Sequence, residues 1–504
     1  MRHSQLIGPG VIRSGSCHEL SGLSILRGVV LALVVQSTAC LAAVSTTEST
    51  LDANALFPAP GAVDVCPDTP LRLMFNAPPT VGHGKIAVID ASHNTVVQTV
   101  DVSIKTATQS IGGLADFNYE PLMISGNQAT IDLPNHSLAY GKSYYLSMDA
   151  GAFTADKVAS PSIDKAAGWR FKTKAAPPVT GTARLIVAAD GTGDFCTVQG
   201  AVDWVPDETK ARTTIDIRKG TYTQMVFVGK KHALTFTGED RAKTVIVYAN
   251  NAIFNPSSNG GYHRGVFFAS GCNDLVINHL TIRNTTPRGG SQAEALILNG
   301  NPTSRAIVAD VDLYSFQDTL QINGQAYVRD CYIEGDVDFM WGKGPCFFEN
   351  CHCCGTRSRA FYTQVRNPVT NHGFVYHHCI FDGRDGVRDM YLSRIAPAAF
   401  PHSEVVLLDC ILGPAVGPVG WLLNSSQRRK PAPTTAPEIR FWEFNSLDSK
   451  GNPIDVSKRL DISRQLKKPA DAGLIDNYSN PGFVLGNDWQ AQADPNLPRE
   501  AGSK

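Results

Sequence analysis

Residues 291–342 read SQAEALILNGNPTSRAIVADVDLYSFQDTLQINGQAYVRDCYIEGDVDFMWG, and the repeat inside this stretch decides the fold. RAIVADVDLYSF and QAYVRDCYIEG each hold a short alternating apolar run, a polar turn and a second apolar step. Asp318 in QDTL and Asp338 in DFMWG lie about twenty residues apart, one solenoid coil, and Gln292 lies about one coil upstream. In SQAEAL and DVDFMWG the amide or carboxylate side chains occupy alternate residues, so an extended strand presents them on one face. Gln317 and Asp318 are adjacent, and both reach one cleft only where the strand bends or ends. Two carboxylates with two carboxamides, Gln292 and Gln317, on neighbouring rungs suit acyl transfer to water.

The same unit continues on both sides. TIDIRKGTY, ALTFTGED, TVIVYAN, GVFFASGCNDLVINHLTIRN, CFFENCHC, GFVYHHCIFDG and EVVLLDCILG repeat the pattern, and no single coil can bury its own apolar face. The units must therefore stack, which predicts an all-β chain dominated by a right-handed parallel β-helix. Cys331, Cys351, Cys379 and Cys410 recur in one local phrase, RDCYI, ENCHC, HHCIF and LDCIL. Small apolar groups repeating once per coil predict a buried ladder of free thiols. A large antiparallel sandwich, the competing fold, leaves that recurrence unexplained. One CxxC spacing, Cys351 to Cys354, has no second cluster at zinc-site spacing, so no metal is expected.

A chain of 504 residues exceeds one ordinary core. Its 45 basic and 46 acidic residues balance, so composition argues for no polyanion-binding field and nucleic acid is an unexpected partner. Residues 1–44 read as an export signal: Arg27 precedes the apolar run Val29–Val35, and small residues follow to Ala43. Cys40 after Ser37-Thr38-Ala39 is similar to a lipoprotein box, so secretion or periplasmic release is expected, with an outer-membrane lipoprotein as the alternative. Residues 45–176 carry short strands separated by turn residues, among them LRLMFN, KIAVID, QATIDL, KSYYLSM and WRFKT, and predict a β-sandwich. This segment resembles a bacterial immunoglobulin-like module of the surface-layer type and reads as a spacer or attachment unit without chemistry. A Pro-rich link at 177–183 precedes the solenoid at 184–492 and a tail at 493–504. Val198, Ala201, Val202 and Val205 share one side of a short helix that is expected to cap the open end of the stack.

VAADGTGDFCTVQGAVDWVP, KGTYTQ, SQAEAL, FQDTL, VDFMWG, YLSR and VGWLL, in this order and spacing, resemble the pectin methylesterase family over about residues 185–489. The resemblance implies an aspartyl esterase that needs neither cofactor nor metal and demethylates pectin as a monomer. It implies Asp338 as nucleophile, Asp318 as general acid and then base, Gln292 and Gln317 as oxyanion donors, and Arg394 as the cation that orients and ionises Asp338. Two nearby carboxylates resist ionising together, which is consistent with that division. Trp341, Phe339 and Tyr391 are expected at the sugar groove, with solenoid packing as the ordinary alternative. Gln364 in YTQVR reads as a ladder or groove hydrogen-bonding residue.

Three positions depart from the family pattern: Gln224 replaces a Glu, Ser393-Arg394-Ile395-Ala396 lacks a Trp, and Glu294 replaces an apolar residue. Glu294 is expected either to charge the cleft or to pair with a base such as Arg288. Two other functions compete. A polygalacturonase or pectate lyase would share the β-helix, but needs carboxylates flanking a glycosidic bond or a calcium-binding acidic cluster. A non-catalytic carbohydrate-binding or adhesin β-helix would keep the fold and lose turnover.

Overall fold

The computed structural model describes residues 51–495 and 497, apart from 167, 257–262, 425–437 and 487, and gives no side-chain account of 52–54. The export segment and Cys40 lie outside the described residues. Among these residues the solenoid has three sheets of parallel strands. One has eleven strands, from Arg184–Val187 to Arg464–Gln465; the others have eight each, from Gly220–Thr223 to Ile411–Leu412 and from Val226–Gly229 to Trp421–Leu423.

Pairing advances one coil at a time, so equivalent residues form columns. Leu313, Ile333, Cys353, Phe381 and Leu412 make one column. Leu296, Leu320, Met340, Thr363, Ser393 and Trp421 make an inward column of the third sheet. The interior between the sheets is a continuous apolar core.

The cysteine ladder is buried at Cys331, Cys351, Cys379 and Cys410. Each thiol donates to a carbonyl of the preceding coil, on Val308, Val328, Phe348 and Tyr376 in turn, at 3.4–3.5 Å. The residue before each Cys is the other half of the phrase. Asp330, Asn350, His378 and Asp409 have φ of 54–55°, and Asp310 and Asn445 continue the column at 57° and 51°. The chain turns a corner there in the left-handed region, where Asn, Asp and His are enriched among non-glycine residues. Recurrence of a polar residue before the Cys is thus a backbone requirement.

Residues 51–173 form a sandwich. A four-stranded sheet in the order Leu51–Phe57, Leu71–Phe75, Gln128–Ile131, Leu122–Ser125 faces a five-stranded one containing Lys85–Asp90, Ser143–Met148 and Arg170–Thr173. Leu71, Leu73, Ile86, Val88, Ile131, Leu146, Phe153 and Trp169 fill the space between. Its likeness to immunoglobulin-like modules rests on the sequence phrases alone.

The sandwich is more than a spacer. The hairpin of Ala107–Ile111 and Leu114–Tyr119 leaves it and buries Ile111, Phe117 and Tyr119 in the same apolar cluster as Val226 and Phe227 of the solenoid. The Phe117 ring lies 6.3 Å from Phe227 and 4.6 Å from His263. Asn118 N–H donates to Asn255 Oδ1 at 2.7 Å, and the Tyr248 hydroxyl accepts from Glu120 N–H at 2.8 Å. The helix Val198–Trp204, N-capped by Thr197, covers the first coil with Val198, Ala201 and Val202 buried. At the other end two short helices, Ala472–Tyr478 and Pro481–Leu485, lay Ile475, Tyr478 and Leu485 over Val276, Tyr327, Phe347 and Val406 on the outer face of the eleven-stranded sheet. These helices were not expected; they are too short to show an amphipathic period.

Removing Phe117 empties part of a buried interface, so Phe117→Ala should cost about 3 kcal/mol or more. A chain starting at residue 179 would bare Val226, Phe227 and Phe268. It should bind a hydrophobic dye and melt well below the full chain by calorimetry; an unchanged melting temperature would restore the spacer reading.

Candidate active site

Asp338 belongs to the third-sheet strand Val337–Gly342. Val337 pairs with Phe361 and Met340 with Thr363, so this strand carries one extra residue over its neighbour. Asp338 has φ 51° within that bulge, and Asp318 one coil earlier has φ 68°. Bulges and left-handed residues re-aim side chains. The bulge turns Asp338 outward and Phe339 inward, where Phe339 is fully buried against Tyr362 at 5.4 Å. Backbone hydrogen bonds align the successive coils: Ala293 N–H to Gln317 O at 3.2 Å, Asp318 N–H to Val337 O at 3.1 Å, and Phe361 N–H to Asp336 O at 3.1 Å.

The Asp338 carboxylate is fully engaged. Arg394 Nε donates to Oδ1 at 2.8 Å and Nη2 to Oδ2 at 2.5 Å, while Gln364 Nε2 donates to Oδ2 at 2.9 Å. Gln364 is held in turn, since its Oε1 accepts from Arg366 Nε at 2.7 Å. The Arg394 guanidinium lies 4.2 Å above the Phe361 ring, which stacks on Tyr391 at 5.6 Å. A planar cation so clamped presents the carboxylate in one orientation.

Asp318 has a different setting. Arg264 Nη2 lies 3.6 Å from its Oδ2, but the same guanidinium is committed to Glu294, with Nη2 to Oε1 at 2.7 Å and Nε to Oε2 at 2.8 Å. Burial raises the pKa of Asp318 well above the carboxylate range; Glu294 raises it further, Arg264 opposes, and Asp338 adds to the rise. Burial also raises Asp338, but there the hydrogen bonds and charge of Arg394, followed by the charge of Arg366, pull it back. Asp338 therefore ionises first and Asp318 keeps its proton longer.

Several expectations need correction. Glu294 is fully buried and takes the paired alternative, with Arg264 as the base; Arg288 instead lies 3.6 Å from Asp336. Phe339 is a core residue and touches no groove. Trp341 is only 5% exposed, with the guanidinium of Arg366 at 4.7 Å and that of Arg264 at 5.8 Å from its ring; it supports two arginines and offers no open sugar platform. Tyr391 is half-buried at the rim. Gln292 and Gln317 sit half-buried on adjacent coils, and among the described residues neither carboxamide is hydrogen-bonded to Asp318 or Asp338; Gln292 Oε1 accepts from Ser291 Oγ at 2.8 Å.

Arg264, Arg366 and Phe361 were missed. Gln364 and Arg366 alternate in YTQVR, so they share a strand face, and that signal was readable. Arg264 lies just outside a strand and left no pattern.

A parallel β-helix with two unequal carboxylates among three arginines on its outer face defines a solenoid of the ester-hydrolysing class. The family model described as Pectinesterase matches residues 184–458, and the chain belongs to that family. It is 33% identical over 254 residues to pectinesterase 31 of Arabidopsis thaliana, covering 48% of this chain and 77% of the relative. It is 29% identical over 299 residues to pectinesterase 2 of Olea europaea, covering 57% and 75%. Among solved structures, the pectin methylesterase from carrot aligns with a TM-score of 0.52 at 21% identity, over 62% of this chain and 96% of that one. Pectin methylesterase PemA from Erwinia chrysanthemi aligns at 0.50 and 22%, over 64% and 100%. At these identities the structures establish the fold, the right-handed parallel β-helix.

The two carboxylates make separable predictions for the pH profile of kcat/KM. Arg394→Ala removes the cation that lowers the pKa of Asp338, so the acid limb should move to higher pH as the rate falls. Glu294→Gln removes a negative charge that raises Asp318 and frees Arg264 to lower it, so the basic limb should move to lower pH. Limbs that stay in place in both variants would disprove the assignment of the two roles.

Proposed function

We propose that the chain demethylates pectin through an acyl-enzyme on Asp338. The observation that carries this reading is the unequal pair: a carboxylate clamped by Arg394 beside one that burial and Glu294 keep protonated. Asp338 attacks the C6 carbonyl of a methyl-esterified galacturonate, and the negative charge that develops on the carbonyl oxygen is met by the carboxamides of Gln292 and Gln317. Asp318 gives its proton to the departing methoxy group, and methanol leaves. Asp318, now ionised, takes a proton from water, which attacks the acyl carbon and returns Asp338 and a free galacturonate. Each step is a proton transfer or an acyl transfer between groups of this chain, the ester and water.

Arg264 and Arg394 are neutralised by Glu294 and Asp338, so the arginines orient the carboxylates of the site. Glu294, being buried against Arg264, does not repel free carboxylates in the cleft. The adhesin reading has no use for a bulge that re-aims a clamped aspartate. The lyase and polygalacturonase readings each require acid clusters of a different kind. Pectin as partner, a monomeric state and action outside the cell complete the proposal; among the described residues no helix is long and apolar enough to cross a membrane.

Methanol release from methylated pectin tests it. Asp338→Ala should abolish release with an unchanged circular dichroism spectrum, and Gln317→Ala should slow it by about a hundredfold to a thousandfold. A chelator should leave the rate unchanged. Formation of an unsaturated product, or full activity in Asp338→Ala, would overturn the assignment.

A further inference from the structure

We infer that Cys66 and Cys196 form a disulfide that fastens the sandwich to the first coil of the solenoid. Cys66 follows the sandwich strand Ala62–Val65, and Cys196 stands just before the capping helix Val198–Trp204, so nearly the whole sandwich separates them in sequence. Their sulfur atoms lie within 4.8 Å of each other, and both side chains are buried.

Asp68 explains the approach. Its Oδ2 accepts from the backbone N–H of Cys196 at 3.0 Å, from that of Thr197 at 2.8 Å and from Thr197 Oγ1 at 2.7 Å. The carboxylate therefore draws the entry of the helix, with Cys196 on it, onto the loop that carries Cys66. Arg72 adds a second tie, Nη2 to Ala189 O at 2.6 Å.

Asp68 is also close enough to complete a three-ligand metal cluster with the two thiols. Its Oδ2 is already held by those three donors, however, and three groups fall one short of the four ligands of a structural zinc site. Cys66 donates to Gly193 O at 3.5 Å, much as the ladder thiol of Cys410 donates to Leu408 O and Tyr376 O at 3.4 Å. What sets the pair apart is that it joins the sandwich to the solenoid; the contact with Cys66 together with burial raises the pKa of Cys196 well above the thiol range. In the folded chain it would not ionise to exchange. The bond must form during folding in an oxidising compartment. There the disulfide of a thiol oxidoreductase is reduced to two thiols as the S–S bond of Cys66 and Cys196 forms, and the two thiol protons pass to the oxidoreductase sulfurs.

The test is to export the full chain into an oxidising compartment, alkylate it under denaturing, non-reducing conditions, and map the cysteines by mass spectrometry. One linked peptide pair, Cys66 with Cys196, is expected, with the ladder cysteines alkylated. Reductant should lower the melting temperature of the wild-type chain by several degrees. Cys66→Ser, Cys196→Ser and the double variant should melt at that lowered temperature and ignore reductant. Alkylation of both residues as free thiols, linkage of either to a ladder cysteine, or one tightly held zinc per chain removed by chelator would overturn the inference.

Discussion

Backbone hydrogen bonding between equivalent residues of successive coils is the constraint on which this molecule depends. A coil cannot bury its apolar face alone, so each must place its strands in register with the last. Register then propagates everything else. A left-handed corner in one coil calls for one in the next, which is why Asp310, Asp330, Asn350, His378, Asp409 and Asn445 stack. The thiol that follows the corner at Asp330, Asn350, His378 and Asp409 fits because it is small and can give its proton to a carbonyl one coil back. The active site uses the same columns, since Gln317, Asp318 and Asp338 reach one region only because Asp318 N–H and Val337 O share a rung bond.

The site departs from that regularity at one point, the bulge at Asp338, and the departure is what separates chemistry from packing. An unbulged strand would alternate evenly and give Asp338 no reason to leave the column. Burying two carboxylates together costs several kcal/mol per ion unless partners are supplied. Arg394 offsets much of this for Asp338 with two hydrogen bonds, although burial still leaves its pKa raised. For Asp318 the compensation is partial, because Arg264 is shared with the fully buried Glu294. The inequality of the two aspartates thus comes from Glu294 beside Asp318 and from how the arginines are distributed, and not from the aspartates themselves.

The N-terminal sandwich shares the solenoid's core through Phe117 and its neighbours, and its hairpin abuts the segment that leads to Arg264. Phe117 touches His263, and Arg264 is the next residue. The sandwich is therefore mechanically continuous with the wall of the catalytic groove, a relation that two domains joined only by a flexible link would lack.

Much of this was legible in the residues. Coil length, the cysteine column, the capping helix and the one-coil spacing of Asp318 and Asp338 follow from local period, which neighbours along the chain determine, whereas Arg394 was placed by the family resemblance. Residue type could not say which way a side chain points once a bulge intervenes, so Phe339 read as a groove residue and is core. Nor could it pair charges remote in sequence: Glu294 was open to charging the cleft or to pairing with a base such as Arg288, and it meets Arg264, thirty positions away, inside the protein. Trp341 lies beneath arginines contributed by two other coils. The sequence by itself determined the stack and the chemical inventory. Only the tertiary structure decided which charges are buried together, because desolvation and ion pairing depend on contacts that close after the coils have stacked.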